Sequence, residues 1–252
     1  MKQARQRIDQ LLVERGLTGS REKARALLLA GAVLVNGQRV DKAGALVAAD
    51  AGIELLEKMP WVSRGAYKLL GALERWGIDV RGRVCLDVGS STGGFTDVLL
   101  ARGAARVHCV DVGQGQLDWK LRNDPRVVVH EGVNARYLEP GVVGEPVQLA
   151  VCDVSFISVT LILPAFAPLL EAPREFVVLV KPQFEVGRDQ VGKGGIVRDP
   201  ALHESAVAKV RAAAGALGFE TEWAESPIEG AEGNKEFLLH GTDPHGRNHR
   251  EA

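Results

Sequence analysis

The sequence predicts an α/β protein whose main domain is a mostly parallel sheet, with a small α+β unit in front of it. From residue 65 onwards, near-continuous apolar runs alternate with helical patterns, as is typical of strands covered by helices on both faces. A glycine-rich stretch, GSSTGG, directly follows one of these runs. Two short helical patterns and an Asn-Gly turn predict the N-terminal unit.

The N-terminal unit contains two predicted helices and a hairpin. Apolar spacing predicts the first helix at 7–15, and Ser20 is a suitable N-cap for a second helix that extends to residue 31. Asn36 and Gly37 lie between β-prone runs and predict a two-residue hairpin turn. A last strand is predicted at 51–57.

Positive charge is concentrated in this unit. Residues 1–42 contain nine Lys/Arg and four Asp/Glu, a net charge of +5, whereas the remaining 210 residues contain 22 and 28, a net charge of −6. A basic unit on an otherwise acidic protein indicates a polyanionic partner, although an ordinary solvated basic face explains the charge equally well.

The stretch RIDQLLVERGLTGSREKARALLLAGAVLVNGQRV resembles the RNA-binding S4 module first known in a small-subunit ribosomal protein. The resemblance implies that the unit binds structured RNA through phosphate contacts made by its two helices. The residues that it assigns to this role are Arg5, Arg7, Arg21, Lys23 and Arg25.

The main domain is organised around the stretch at 84–95, where the apolar run VCLDV breaks into GSSTGG and then into a helical pattern. The spacing differs from the dinucleotide-binding fingerprint GxGxxG, and a tight turn without a ligand is the plainer interpretation. A strand ending in D-x-G-x-x-x-G-G resembles the first motif of class I S-adenosylmethionine (SAM) methyltransferases. That resemblance implies SAM as cofactor and a Rossmann-like, seven-stranded sheet with an antiparallel terminal strand.

The remaining elements follow from apolar patterning. One helix is predicted at 63–76, before the central strand. Further strands are predicted at 106–111, 126–132, 147–153 and 174–182, helices at 158–170 and 201–218, and a terminal antiparallel pair at 219–228 and 234–241. The predicted organisation is therefore an RNA-binding unit at 1–58, a linker at 59–64, the methyltransferase domain at 65–242 and a disordered tail at 243–252.

Polar residues follow several of the predicted strands, at the edge where open α/β sheets bind ligands. The methyltransferase resemblance assigns Asp111 to the cofactor's ribose and Asn134 to its adenine. The full set of cofactor-binding candidates is Asp87, Gly89, Ser91, Thr92, Gly93, Asp111 and Asn134.

Lys181 ends the apolar run FVVLV, and a lysine buried at a strand end is costly unless it is paired or functional. An ion pair with Asp153 is the plainer interpretation, and a catalytic base oriented by Asp153 is the alternative.

Four segments in order, SRGAYKL, CDVSFIS, VKPQFE and GNKEF, resemble the Lys-Asp-Lys-Glu pattern of FtsJ-type ribose 2′-O-methyltransferases. Together with the N-terminal module, the chain resembles the TlyA family, often labelled hemolysin A. This resemblance implies 2′-O-methylation of cytidine in ribosomal RNA, with ribosomal subunits as partners. The catalytic residues that it implies are Lys68, Asp153, Lys181 and Glu236.

These residue types suit the reaction, because a ribose hydroxyl attacks well only when its proton is removed or polarised. A free lysine has a pKa of about 10.4, so it serves as a base only where burial or nearby cations lower that value. The hypothesis is that Lys181 is the base, Asp153 orients it, Lys68 supplies the nearby cation and Glu236 holds Lys68 or the ribose. Lys68 as the base is an open alternative.

The sequence disfavours several other classes. Cys85, Cys109 and Cys152 lie in apolar runs, which predicts reduced thiols in a cytoplasmic protein, and no metal site is predicted. No signal peptide or apolar run of about 18 residues is present, so direct membrane lysis by a hemolysin is disfavoured. DNA-base methylation is disfavoured because the segment at the end of the fourth predicted strand reads Cys-Asp-Val-Ser-Phe. An enzyme that stacks a flipped DNA base would have an Asn/Asp-Pro-Pro-Tyr type of motif there. A non-catalytic RNA or ribosome binder is the main alternative.

The loop at 185–199, with Arg188, Lys193 and Arg198, is either a mobile surface loop or a segment that closes over RNA.

Overall fold

The computed structural model describes residues 5–29, 32–55, 59–230 and 233–243. The chain forms two compact units that divide between Pro60 and Trp61. The predicted linker at 59–64 spans this division and stays a prediction. The ends of the predicted second helix, at 30–31, and of the strand at 51–57 lie outside the described residues, as does almost all of the predicted tail.

The first unit packs two helices with short strands. Its elements are β1 Arg5–Arg7, α1 Ile8–Glu14, α2 Arg21–Leu29, β2 Val33–Val35, β3 Gln38–Arg39, β4 Leu46–Ala48 and β5 Ile53–Leu55. Strand β1 pairs antiparallel with β4, and β2 lies between β3 and β5. The predicted hairpin turn is confirmed, since Asn36 and Gly37 both have positive φ angles, of 49° and 76°. Ser20 caps α2 as predicted, because its Oγ accepts a hydrogen bond from the backbone N–H of Lys23.

The second unit is the predicted α/β domain. Its elements are α3 Gly65–Trp76, β6 Val84–Val88, α4 Gly94–Ala101, β7 Arg106–Asp111, α5 Trp119–Arg122, β8 Val127–Glu131, α6 Pro140–Val143, β9 Leu149–Cys152, α7 Leu163–Phe166, β10 Glu175–Val180, α8 Pro182–Glu185, α9 Pro200–Ala216, β11 Glu220–Glu225 and β12 Phe237–Thr242.

One seven-stranded sheet runs through this unit in the order β11-β12-β10-β9-β6-β7-β8. Strand β12 is antiparallel to both of its neighbours, and the other described pairings are parallel. The predicted sheet and its antiparallel terminal strand are thereby confirmed. Alternate residues of β6 belong to two different apolar clusters, with Cys85 in one and Leu86 in the other. Because side chains alternate along a strand, the sheet is buried on both faces.

One element differs clearly from the sequence prediction. The predicted helix at 158–170 is broken into short turns around α7, because Pro164 and Pro168 have no N–H to continue a helix. The strand predicted to end at Asp153 is confirmed as β9, which ends one residue earlier at Cys152, and Phe156 beyond it has a positive φ of 66°. That conformation is incompatible with a strand. The three cysteines are buried and unbonded, as predicted.

Candidate functional site

The sheet topology brings the four catalytic candidates to one edge. Asp153 and Lys181 directly follow the parallel neighbours β9 and β10, so both lie at the carboxyl edge of the sheet. Glu236 directly precedes β12, whose antiparallel direction puts its start at the same edge. Lys68, in the first turns of α3, completes the group.

The four side chains form one continuous chain of ionic contacts. Lys68 Nζ lies 2.5 Å from Glu236 Oε2 and 3.8 Å from Asp153 Oδ2. Lys181 Nζ lies 2.5 Å from Asp153 Oδ1. All four side chains are at most 20% exposed, so the two positive and two negative charges compensate each other inside the protein. This is the pairing of Lys181 with Asp153 and of Lys68 with Glu236 that the sequence hypothesis contains.

Ser155 is a residue of this group that the sequence reasoning missed. Lys181 Nζ donates a hydrogen bond of 2.8 Å to Ser155 Oγ, so the lysine is held from two sides. The motif Cys-Asp-Val-Ser-Phe contained this residue, but only the three-dimensional path of the segment after β9 shows that the hydroxyl turns toward Lys181.

Phe156 is the second missed residue. Its side chain is 92% exposed although it is a large aromatic group, and its positive φ is a conformation that bulky residues rarely adopt. Its ring lies 5.4 Å from the ring of Phe184. An exposed aromatic ring held in a strained backbone beside the charged group is a feature of binding sites rather than of cores.

Two adjoining cavities open at this edge, with volumes of about 310 and 350 Å³. Lys68 and Lys181 line the first, and Asp111 and Asn134 line the second. The two cavities share four lining residues, which are Gly89, Ser91, Asp153 and Ser155. A ligand in the second cavity therefore reaches the charged group directly.

Asp87 lies at the floor of the first cavity and is buried. Its Oδ2 accepts a hydrogen bond of 2.6 Å from Thr96 Oγ1, whereas Oδ1 is buried with no hydrogen-bond partner among the described residues. Burial raises the pKa of this carboxyl group to about 7, and the hydrogen bond from Thr96 only partly offsets the effect. A buried acceptor without a partner is suited to a ligand that brings a charged donor.

Gly89 and Gly93 are required for different reasons. A Cβ on Gly89 would lie 2.7 Å from the backbone oxygen of Asp153, so glycine allows the ends of β6 and β9 to approach each other. A Cβ on Gly93 would lie 2.3 Å from a methyl carbon of Leu121. Gly93 lines neither cavity, unlike Gly94. Packing against Leu121 therefore requires glycine at this position, and the predicted place of Gly93 beside the cofactor stays a prediction.

The other cofactor-binding candidates surround the cavities. Asp111 accepts hydrogen bonds of 2.8 Å from the backbone N–H groups of Ser91 and Gly113, which fixes its carboxylate at the cavity wall. Asn134 lines the second cavity and also caps the next turn through the N–H of Arg136. Thr92 lines the first cavity. Gln116, which the sequence reasoning missed, lines the second.

The loop at 185–199 is anchored at its C-terminal half. Asn234 accepts a hydrogen bond from the N–H of Val197 at 3.0 Å and donates one to the oxygen of Gly195 at 2.9 Å. His203 lies 2.8 Å from the oxygen of Val197. Because Asn234 is two residues before Glu236, the loop is tied to the segment that supplies one of the charged side chains.

In the first unit, three of the five RNA-binding candidates converge on one carboxylate. Arg7, Arg21 and Arg25 all lie within 3.7 Å of the buried Asp9. Lys23 makes no ion pair with Asp9. Arg5 lies apart from this group, in a groove beside the hairpin.

Two absences apply to the described part of the chain. It contains no group of three or more His, Cys, Asp or Glu side chains placed to hold a metal ion. Within the same residues, no helix has the length and apolar character needed to cross a membrane.

Comparison with known proteins gives two family matches. The profile of the FtsJ-like methyltransferase family matches residues 61–242, and that of the S4 domain matches residues 6–53. The 16S/23S rRNA (cytidine-2'-O)-methyltransferase TlyA of Mycobacterium tuberculosis is 49% identical to this chain over 238 residues, which cover 93% of this chain and 89% of the relative.

Two further relatives carry a different description. Hemolysin A of Brachyspira hyodysenteriae is 42% identical over 93% of this chain and 98% of its own length. A solved structure from Streptococcus thermophilus, described as a candidate hemolysin, has a TM-score of 0.73 at 45% identity and covers 95% of this chain and 88% of its own. Both descriptions apply to chains that match this one along nearly its whole length.

Proposed function

Because this chain belongs to the FtsJ-like methyltransferase family and carries an S4 domain, we propose that it methylates the 2′-hydroxyl of a cytidine in ribosomal RNA, with SAM as methyl donor. The observation that carries the proposal is the continuous contact chain from Glu236 through Lys68 and Asp153 to Lys181, at the mouth of two joined cavities. The names of relatives such as the Mycobacterium tuberculosis enzyme support cytidine and ribosomal RNA as the substrate.

The cavities fit SAM by two features. The buried Oδ1 of Asp87 has no donor in the part of the chain that the structure describes, and the α-ammonium group of SAM would supply one. The close approach at Gly89 leaves the loop without side-chain bulk where the methionine part would lie, and Asp111 and Asn134 would face the ribose and adenine. When bound, SAM would supply an electrophilic methyl group, because an oxygen that attacks the methyl carbon displaces S-adenosylhomocysteine as the S–C bond breaks.

The charged group would activate the ribose. The 2′-hydroxyl must lose its proton as the new O–C bond forms, and Lys181 is our candidate to accept that proton when its amine is neutral. Asp153 and Ser155 hold Lys181 from two sides, so its nitrogen has a fixed position in the cavity. Lys68, held by Glu236, would stabilise negative charge on the oxygen. The opposite assignment, with Lys68 as the base, uses the same contacts.

Phe156 would hold the target base. Its exposed ring stands beside Asp153 and Ser155, so a base stacked on it would present the attached ribose to the charged group. Stacking on an aromatic ring is worth about 1–3 kcal/mol per base and suits a nucleotide withdrawn from its RNA helix. Ribosomal subunits are cytoplasmic, in agreement with the location that the reduced cysteines predict.

Nucleoside analysis tests the proposed function. The protein is incubated with SAM and with small or large ribosomal subunits from cells that lack this modification, and the RNA is digested to nucleosides for mass spectrometry. We expect 2′-O-methylcytidine to appear with at least one subunit. Its absence with both subunits and with naked ribosomal RNA, while SAM still binds, would support the non-catalytic RNA binder. Dye release from liposomes would instead support the membrane-active alternative.

A further inference from the structure

We infer that Asp9 is a positioning residue that assembles Arg7, Arg21 and Arg25 into one preorganised binding site for an RNA phosphate. The inference rests on the proposed function, because it takes RNA as the ligand of the first unit. It goes further by replacing independent surface arginines with a single built site and by assigning a role to an acidic residue.

The contacts around Asp9 define the site. Arg7 forms a two-pronged pair, from Nε to Oδ1 at 3.0 Å and from Nη2 to Oδ2 at 3.1 Å. Arg21 donates from Nη2 to Oδ2 at 2.9 Å, and Nε of Arg25 lies 3.7 Å from the same oxygen. These arginines come from β1 and α2, whereas Asp9 is in the first turn of α1. One carboxylate thus joins three elements of the unit.

Burial distinguishes the roles of the four side chains. The Asp9 side chain is 0% exposed, whereas those of Arg7, Arg21 and Arg25 are 42%, 49% and 52% exposed. Asp9 therefore cannot reach a ligand itself, but each arginine presents part of its guanidinium to solvent. The group carries a net charge of +2, and arginine has five N–H donors, so donors remain for a phosphate after the contacts to Asp9.

The charge state of Asp9 is secured by its partners. The hydrogen bond from Arg7, with further contributions from Arg21, holds the pKa of the Asp9 carboxyl well below its usual range, although burial acts in the opposite direction. The carboxylate is therefore ionised, and the arginines stay in place, over the whole physiological pH range.

A fixed arginine binds phosphate better than a free one, because less side-chain freedom is lost on binding. Each exposed arginine would otherwise have to be immobilised by the RNA. Asp9 orders three of them during folding. A negative charge behind the arginines is then favourable for RNA binding, whereas a purely electrostatic account predicts that it weakens binding.

The variant Asp9→Asn separates the two accounts. It keeps the size of the side chain and adds one unit of positive charge to the group. Binding to purified ribosomal subunits is measured by filter retention at several salt concentrations. The positioning role predicts affinity that is weaker by roughly tenfold, with an unchanged salt slope because the arginines are still present. Equal or tighter binding by Asp9→Asn would overturn the inference.

Double variants and a matched control exclude a merely structural effect. The positioning role predicts that Asp9→Asn weakens binding less in an Arg7→Ala/Arg21→Ala background, since the residues that it positions are gone. In a Lys23→Ala background, Asp9→Asn should weaken binding as much as it does in the wild type, because Lys23 makes no ion pair with Asp9. An equal loss in both backgrounds would overturn it.

A second variant covers the case in which Asp9→Asn does not fold. Arg7→Lys keeps the charge at a half-exposed position but loses the two-pronged contact, so the positioning role predicts weaker binding at an unchanged salt slope. Unchanged affinity would contradict it. Failure of the wild-type protein to bind either subunit would instead overturn the proposed function, which keeps the two results distinct.

Discussion

Asp87 is the residue whose charge the fold adjusts most clearly for a ligand. Its carboxyl group is buried, its pKa is raised to about 7, and one oxygen lacks a partner among the described residues. Without a ligand the group is largely protonated below neutral pH. An ammonium group favours the ionised carboxylate, so binding of SAM should release a proton.

The affinity for SAM is therefore expected to rise as the pH increases from about 5.5 to about 7, by up to roughly tenfold per unit. Over this range the ammonium group of the ligand stays charged. Isothermal titration calorimetry in buffers of different ionisation enthalpy measures both the affinity and the proton release. The control is Asp87→Asn, which should bind more weakly and lose the pH dependence. A wild-type affinity that does not change with pH would contradict this role of Asp87.

The same pKa shift predicts a trend in stability. The folded-state pKa of Asp87 lies above the value of about 3.9 for an unfolded chain, so the native state holds this proton more tightly. Its contribution to the free energy of unfolding is full below pH 4 and is lost as the pH rises through about 7. The test compares the midpoint temperatures of thermal unfolding of wild type and Asp87→Asn without SAM. As the pH rises from 4 through about 7, the midpoint of the wild type should fall relative to that of Asp87→Asn. A constant difference would count against the shift.

Phe156 combines strain with exposure, which predicts opposite effects on stability and activity. The variant Phe156→Gly removes a positive-φ strain of about 1–3 kcal/mol and loses little buried surface. It also destabilises the folded state by about 0.5–1 kcal/mol, because glycine gives the unfolded chain more conformational entropy. We expect an unchanged or higher free energy of unfolding in urea, together with slower methylation of ribosomal RNA. A large loss of stability would show that the ring has a packing role instead.

At the scale of elements, the loop at 185–199 is the segment for which the sequence left two interpretations open. Its glycines and cations fit both a mobile loop and one that closes over RNA. Asn234 accepts a hydrogen bond from Val197 and donates one to Gly195, and His203 contacts Val197, so these two residues hold the loop. The C-terminal half is therefore a fixed segment tied to the strand beside Glu236.

The variant Asn234→Ala is expected to release this segment. Trypsin cleaves after lysine and arginine, so limited proteolysis at Arg188, Lys193 and Arg198 should become faster, by roughly tenfold for the loss of one buried and one part-buried hydrogen bond. Cleavage sites elsewhere in the chain serve as the internal control. If the loop is cleaved at the wild-type rate, Asn234 does not anchor it.

Element boundaries show where sequence reasoning was limited. Strand β6 ends before Gly89, β7 ends at Asp111 and β10 ends before Lys181, so the ends of these three runs follow from composition. Strands β1 and β4 have three residues each, too few for alternation to be read. The helix predicted at 158–170 ignored two prolines, and the turn that places Ser155 and Phe156 beyond the predicted strand end at Asp153 was not predicted.

At the scale of the whole molecule, the chain joins a basic unit to an acidic catalytic unit. The seven-stranded sheet with its antiparallel last strand and the grouping of Lys68, Asp153, Lys181 and Glu236 were implied by the family resemblance, and the rule that ligands bind at the carboxyl edge agrees with their position. The order of the strands was not predicted. The sequence could not supply what depends on side-chain direction in three dimensions. Examples are the hydrogen bond from Lys181 to Ser155, the packing role of Gly93 and the burial of Asp9 beneath three arginines.

The most direct test of the account is transfer of labelled methyl from SAM to unmodified ribosomal subunits in a single turnover, with wild type and Lys181→Ala compared side by side. The exposed Lys120→Ala is the matched control, and SAM and RNA binding are measured for each protein. Loss of a general base predicts that Lys181→Ala transfers methyl about 10²- to 10⁴-fold more slowly while both ligands still bind. A full wild-type rate in Lys181→Ala, with normal RNA binding, would contradict the assignment of Lys181 as the base.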